Sequence, residues 1–85
     1  LAMRLVDKYR DDGTVLNITG NAGIHYNSVV ITEAYDDFIV VEPASGAERA
    51  GGAFRGDHAN INLATITRFE EAGAEQKLRA RLKGL

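Results

Sequence analysis

Two histidines and one adjacent pair of carboxylates are the side chains of this chain best suited to acid–base or metal chemistry. His25 and His58 are its only histidines. Asp57-His58, taken with Asp36 or Asp37, contains the residue types of a metal or proton-transfer site. Their spacing argues otherwise. No His-x-x-x-His pair places two imidazoles on one helix face, and the chain has no cysteine. Adjacent Asp residues in a turn point apart and are common turn formers, so Asp36-Asp37 reads as a turn rather than as a general acid and base. The expectation is a non-enzyme with no catalytic residue, no metal and no cofactor.

The remaining chemistry is that of binding. Gly51-Gly52-Ala53-Phe54-Arg55-Gly56 has the glycine content of a phosphate-cradling loop. It lacks the terminal Lys-Ser/Thr and opens no evident helix, so it reads as a connection. Arg49 and Arg55 around Phe54 suit a stacked base with a neutralised phosphate, or else Phe54 packs on the domain or on a neighbour. Lys77, Arg79, Arg81 and Lys83 could meet an acidic surface or nucleic acid, or form the solvated face of a helix.

Charge is segregated along the chain. Seven acids (Asp11, Asp12, Glu33, Asp36, Asp37, Glu42, Glu48) lie between Asp11 and Glu48 with no Lys or Arg among them. A polyanion would have to be met by the flanks, because phosphate contacts need cations. With 85 residues the chain is at most one domain, and its own core is small. Neither disulfides nor a zinc cluster can supplement that core, so association with itself is the expected source of further stability. No apolar run approaches the roughly 20 residues of a membrane span, and Leu1-Ala2-Met3-Arg4-Leu5 has no signal-type apolar region. A cytoplasmic protein without a membrane segment is expected.

The elements follow from periodicity. Leu5 and Tyr9, like Ala2 and Val6, are four apart, which predicts a helix over about 2–10 stopped by Asp11-Asp12-Gly13. Leu16 and Ile18 alternate with Val15, Asn17 and Thr19 in a strand over 14–19. Gly20-Asn21-Ala22-Gly23 supplies a turn, with Gly and Asn suited to positive φ. From Ile24 to Glu33 the apolar residues change parity near Ser28, which predicts a bend or bulge. Ala34-Tyr35-Asp36-Asp37 turns the chain into Phe38-Ile39-Val40-Val41, apolar on both faces, and Pro43 ends that strand. After a long connection over 44–60, Ile61-Asn62 reads as a short strand, Leu63 to Thr65 as one helical turn, and Ile66 onward as the last strand. A C-terminal helix over 74–83 carries Leu78 and Leu82 on one side.

Five short strands with sharp turns and a one-turn helix before the last resemble the Sm-like fold, which includes Sm, Lsm and Hfq proteins. Ala34-Tyr35-Asp36-Asp37-Phe38-Ile39-Val40-Val41 resembles the family's turn between second and third strands. Ile61-Asn62-Leu63-Ala64-Thr65-Ile66 resembles its helical step before the last strand. The resemblance implies a mainly β domain spanning 1–85, a small, strongly bent five-stranded SH3-like or Sm-like barrel (14–70) with a helix at each end. It also implies a homo-oligomeric ring formed through the fourth and fifth strands. Single-stranded RNA would stack on Tyr35 or Phe38, with Asp36, Asp37 and Asn62 as polar contacts and Arg49, Phe54 and Arg55 as further candidates. Asn62-Leu63 stands where Hfq-type members carry Lys-His. The other reading is an oligomerising module that binds another protein and no nucleic acid.

Overall fold

The computed structural model describes residues 3–44 and 57–72. They form one five-stranded antiparallel sheet and one short α-helix. The expected helix over 74–83, most of the connection over 44–60, and with it Arg49, Phe54 and Arg55, lie outside the described residues.

Helix α1 spans Leu5–Asp12. It starts later than residue 2 because Arg4 is extended (φ −65°, ψ 150°), and it runs past residue 10 because Gly13, not Asp11, carries the stop. Gly13 takes the left-handed conformation (φ 65°, ψ 29°), and its N–H donates to the carbonyls of Arg10 and Tyr9. Thr14 N–H then donates to the Tyr9 carbonyl at 3.2 Å. That bond keeps Thr14 with the helix end, so strand β1 begins at Leu16 (Leu16–Gly20) rather than at residue 14.

Leu16 and Ile18 are buried, and the alternating Asn17 and Thr19 face outward. The turn that follows is a 3-10 turn at Asn21–Gly23, closed by Gly20 N–H donating to Ile24 O at 2.8 Å. Positive φ falls on Ala22 (60°) and Gly23 (73°) rather than on Asn21.

Strand β2 (His25–Ala34) is bent where the parity of its apolar residues changes. Leu16 pairs with Val29 and Ile18 with Tyr26, so Asn17 alone faces two residues, Asn27 and Ser28. Ser28 has φ 56°, and its N–H donates to Asn17 Oδ1 at 2.9 Å. This is a bulge that puts Tyr26 and Val29 on one surface although they are three apart. A second irregularity leaves Thr32 unpaired between Ile31↔Val41 and Glu33↔Val40, and its hydroxyl donates to Val40 O at 3.3 Å.

Strand β3 (Phe38–Pro43) buries Ile39, Val40 and Val41 in succession, hence on both faces. Ile39 and Val41 join Val6, Leu16, Ile18, Val29, Ile31 and Ile61 in the core. Strand β4 spans Ala59–Asn62 and starts two residues earlier than the pattern predicts, because Ala59 and Asn60 pair with Val41 and Val40. The 3-10 turn Leu63–Thr65 and strand β5 (Ile66–Glu71) follow as expected. Phe69 packs against Tyr9 with ring centroids 5.9 Å apart, tying α1 to the last strand.

The strand order is β4-β3-β2-β1-β5. Among the described residues the ladder stays open: β4 and β5, consecutive in sequence, are its two edges. Among the described residues no helix is long and apolar enough to cross a membrane.

Candidate functional site at the β2–β3 turn

The β2–β3 turn brings two aromatic rings face to face. Tyr35 N–H donates to Phe38 O at 2.8 Å, closing a turn whose tip is Asp36-Asp37. The closure places the rings of Tyr35 and Phe38 4.5 Å apart, 22° from parallel. Tyr35 remains 44% exposed, which leaves a π-surface open to solvent.

The step before β5 reaches the same place. Leu63 N–H donates to the Asp37 carbonyl at 2.9 Å, and Asn62 lies opposite Phe38 in the β3–β4 ladder. Asn62 Oδ1 accepts the N–H of Ala64 at 2.9 Å, and Thr65 Oγ1 donates to Asn62 O at 2.7 Å. With its oxygen committed to the turn, the Asn62 side chain presents its NH₂ as a donor. Tyr35, Asp36, Asp37, Phe38 and Asn62 are therefore gathered by three short backbone elements.

The electrostatics of this face are acidic. The Tyr35 hydroxyl donates to the carboxylate of Glu33, which raises the phenol pKa above its ordinary value, first through that bond and then through the negative charge. Asp36 and Asp37 are exposed. Asp36 is close enough to Arg4 to favour its charged form, although the guanidinium is bonded first to Asp7 at 2.9 Å. In the sequence Glu33 counts only as one of the seven acids of the charge window and not as a site residue. Glu33 lies near the end of β2, and Tyr35 is the first residue beyond that strand.

The histidines are elsewhere. His25 opens β2 with Nδ1 3.4 Å from Thr19 Oγ1, and His58 is exposed just before β4. Among the described residues no three His, Asp or Glu side chains gather as a metal site. What the turn can do chemically is stack a flat group on Tyr35–Phe38 and donate a hydrogen bond from Asn62.

No family model matches the chain, and comparison with curated proteins and with solved structures returns no match. The fold and the site rest on their own geometry, which defines a small β-rich module with an exposed aromatic–amide face.

Proposed function

We propose that this chain is a non-catalytic, cytoplasmic module of Sm-like architecture. In this reading copies assemble into a ring, the edge of β4 in one pairing with the edge of β5 in the next, and single-stranded RNA is bound weakly on the β2–β3 turn. The observation that carries the reading is the pair of open edges. β4 and β5 lie at opposite ends of one sheet, and among the described residues neither has a strand on its outer side to pair the N–H and C=O groups there. A head-to-tail contact satisfies both and can close on itself. It would also complete the bent sheet into a barrel-like layer and enlarge a core too small for comfort in a domain of this size.

The RNA part rests on the stacked Tyr35–Phe38 pair beside the Asn62 amide, since aromatic platforms hold unpaired bases and amides read their edges. Two measurements test the proposal. Light scattering should give the mass of five to seven copies, and a monomer at all concentrations would remove the ring. Oligo-U and oligo-A binding should weaken steeply with salt, and Tyr35→Ala should cost about 1–3 kcal/mol of it. No binding at low salt would remove the RNA.

A second reading is favoured by one specific observation. The carboxylates of Glu33, Asp36 and Asp37 surround the platform, with Arg4 as the cation beside them. That sign repels phosphate and suits a protein partner. Co-purification of one defined protein with full binding in the absence of RNA would favour this reading over the first.

A further inference from the structure

Helix α1 carries apolar surface that the sheet does not cover. Val6 is its buried residue, and Tyr9, one turn on, lies to one side of it against Phe69 of β5. Leu5 is four residues before Tyr9 and so continues that side, yet it is 54% exposed. Leu5 and the half-buried Tyr9 form an apolar stripe along the β5 side of the helix.

The chain leaves the sheet at the foot of this stripe. Ala72 N–H donates to Val15 O at 2.9 Å, one step past the Leu16↔Glu71 pair. Val15 follows Thr14, whose N–H is bonded to Tyr9 O, so Ala72 stands beside the C-terminal end of α1. We propose that residues 73–85, which lie outside the described residues, turn back there and run antiparallel to α1 as the helix that the sequence predicts, with Leu78 against Tyr9 and Leu82 against Leu5.

The spacing fits this contact. Tyr9 and Leu5 stand four and eight residues before Gly13, about 6 and 12 Å along a helix. Leu78 and Leu82 stand five and nine residues after Gly73, about 7.5 and 13.5 Å along theirs. Charge fits it too. Asp12 and Glu71 are exposed around the point of exit, and among the described residues neither has an ion pair. The segment supplies Lys77, Arg79, Arg81 and Lys83, of the opposite sign. The contact is made within one chain and is independent of the ring. It also engages the basic run that would otherwise be available to a polyanion.

The chain has no cysteine, so two introduced thiols can report the contact in the full chain. Leu5→Cys with Leu82→Cys should form an intrachain disulfide about 10-fold faster than Ile24→Cys with Leu82→Cys, because the bond needs closely placed Cβ atoms. Ile24 is exposed just past the turn at the far end of the β1–β2 hairpin and serves as the control. Hydrogen exchange gives a second measurement that leaves the described residues unaltered. Leu78→Asp with Leu82→Asp should speed amide exchange in α1 about 10-fold or more while exchange in β1, β2 and β3 stays as it was. Equal disulfide rates at the two positions, or disulfides formed only between chains, overturn the proposal. Unchanged exchange of α1 in the double Asp variant does the same.

Discussion

The side-chain oxygen of Asn17 accepts the backbone N–H of Ser28 at 2.9 Å, and the bend of the longest strand is held at that bond. Ser28 is an L-residue at φ 56°, a conformation that costs about 1–2 kcal/mol outside glycine. Asn17 compensates by satisfying an N–H that the bulge removes from the ladder. Asn17→Ala should therefore destabilise the domain by about 1–2 kcal/mol, because the donor is left part-buried without a partner. Ser28→Gly should stabilise it by up to about 1 kcal/mol, the relief of strain being partly offset by glycine's unfolded-state entropy. Urea unfolding of the two variants checks both signs.

Core substitutions should divide by the face they occupy. Ile39 is fully buried in the central cluster, and Ile39→Ala should cost about 2–5 kcal/mol. That is most of the stability of a small domain, and the loss should show as a collapsed thermal transition. Val40 is buried but lies outside that cluster, on the opposite face of β3. Val40→Ala should cost less, about 1 kcal/mol.

The hydrogen bond from Tyr35 to Glu33 should appear in a tyrosine titration followed by ultraviolet absorbance. One of the three tyrosines should ionise above the ordinary phenol range. The sign follows from linkage: a pKa raised in the folded state contributes stability that is present below the unfolded-state value and is lost as pH rises through the folded-state value. Glu33→Gln removes the charge and should bring the late titration back toward normal. An unchanged titration in that variant would refute the assignment.

Acid should act through Asp7. Its carboxyl pKa is lowered, first by the hydrogen bond from Arg4; desolvation opposes this and raises it, and the charges of Arg4 and Arg10 add smaller effects that lower it. A lowered folded-state pKa gives stability that is present above the unfolded-state value and disappears as pH falls through the folded one. Thermal midpoints should drop between neutral and acidic pH, and the drop should shrink in Asp7→Asn. Salt should reduce the difference, because the pair is exposed.

Most of the local architecture was legible in the residues themselves. The parity change at Ser28 announced the bulge, Gly13 announced the end of α1, and Leu63 to Thr65 announced the one-turn step. The less legible boundaries were those set by partners distant in sequence. Ala59 and Asn60 look like the end of a glycine-rich connection and become strand only because Val41 and Val40 are there to pair with them. Glu33 entered the site through a bond to Tyr35 that no composition rule singles out.

By itself the sequence determined five strands, their sharp turns and the two stretches that resemble an Sm-like pattern, because strand period, glycine φ and turn chemistry act over a few residues. Only the tertiary structure decided that those two stretches meet. The Leu63–Asp37 bond and the Phe38–Asn62 pairing join positions some two dozen residues apart, and they exist because β3 and β4 lie side by side. It also decided that, among the described residues, the sheet remains open, with β4 and β5 at its two ends. Such properties follow from long-range strand order, and strand order is set by the burial of the whole chain rather than by any local run of residues.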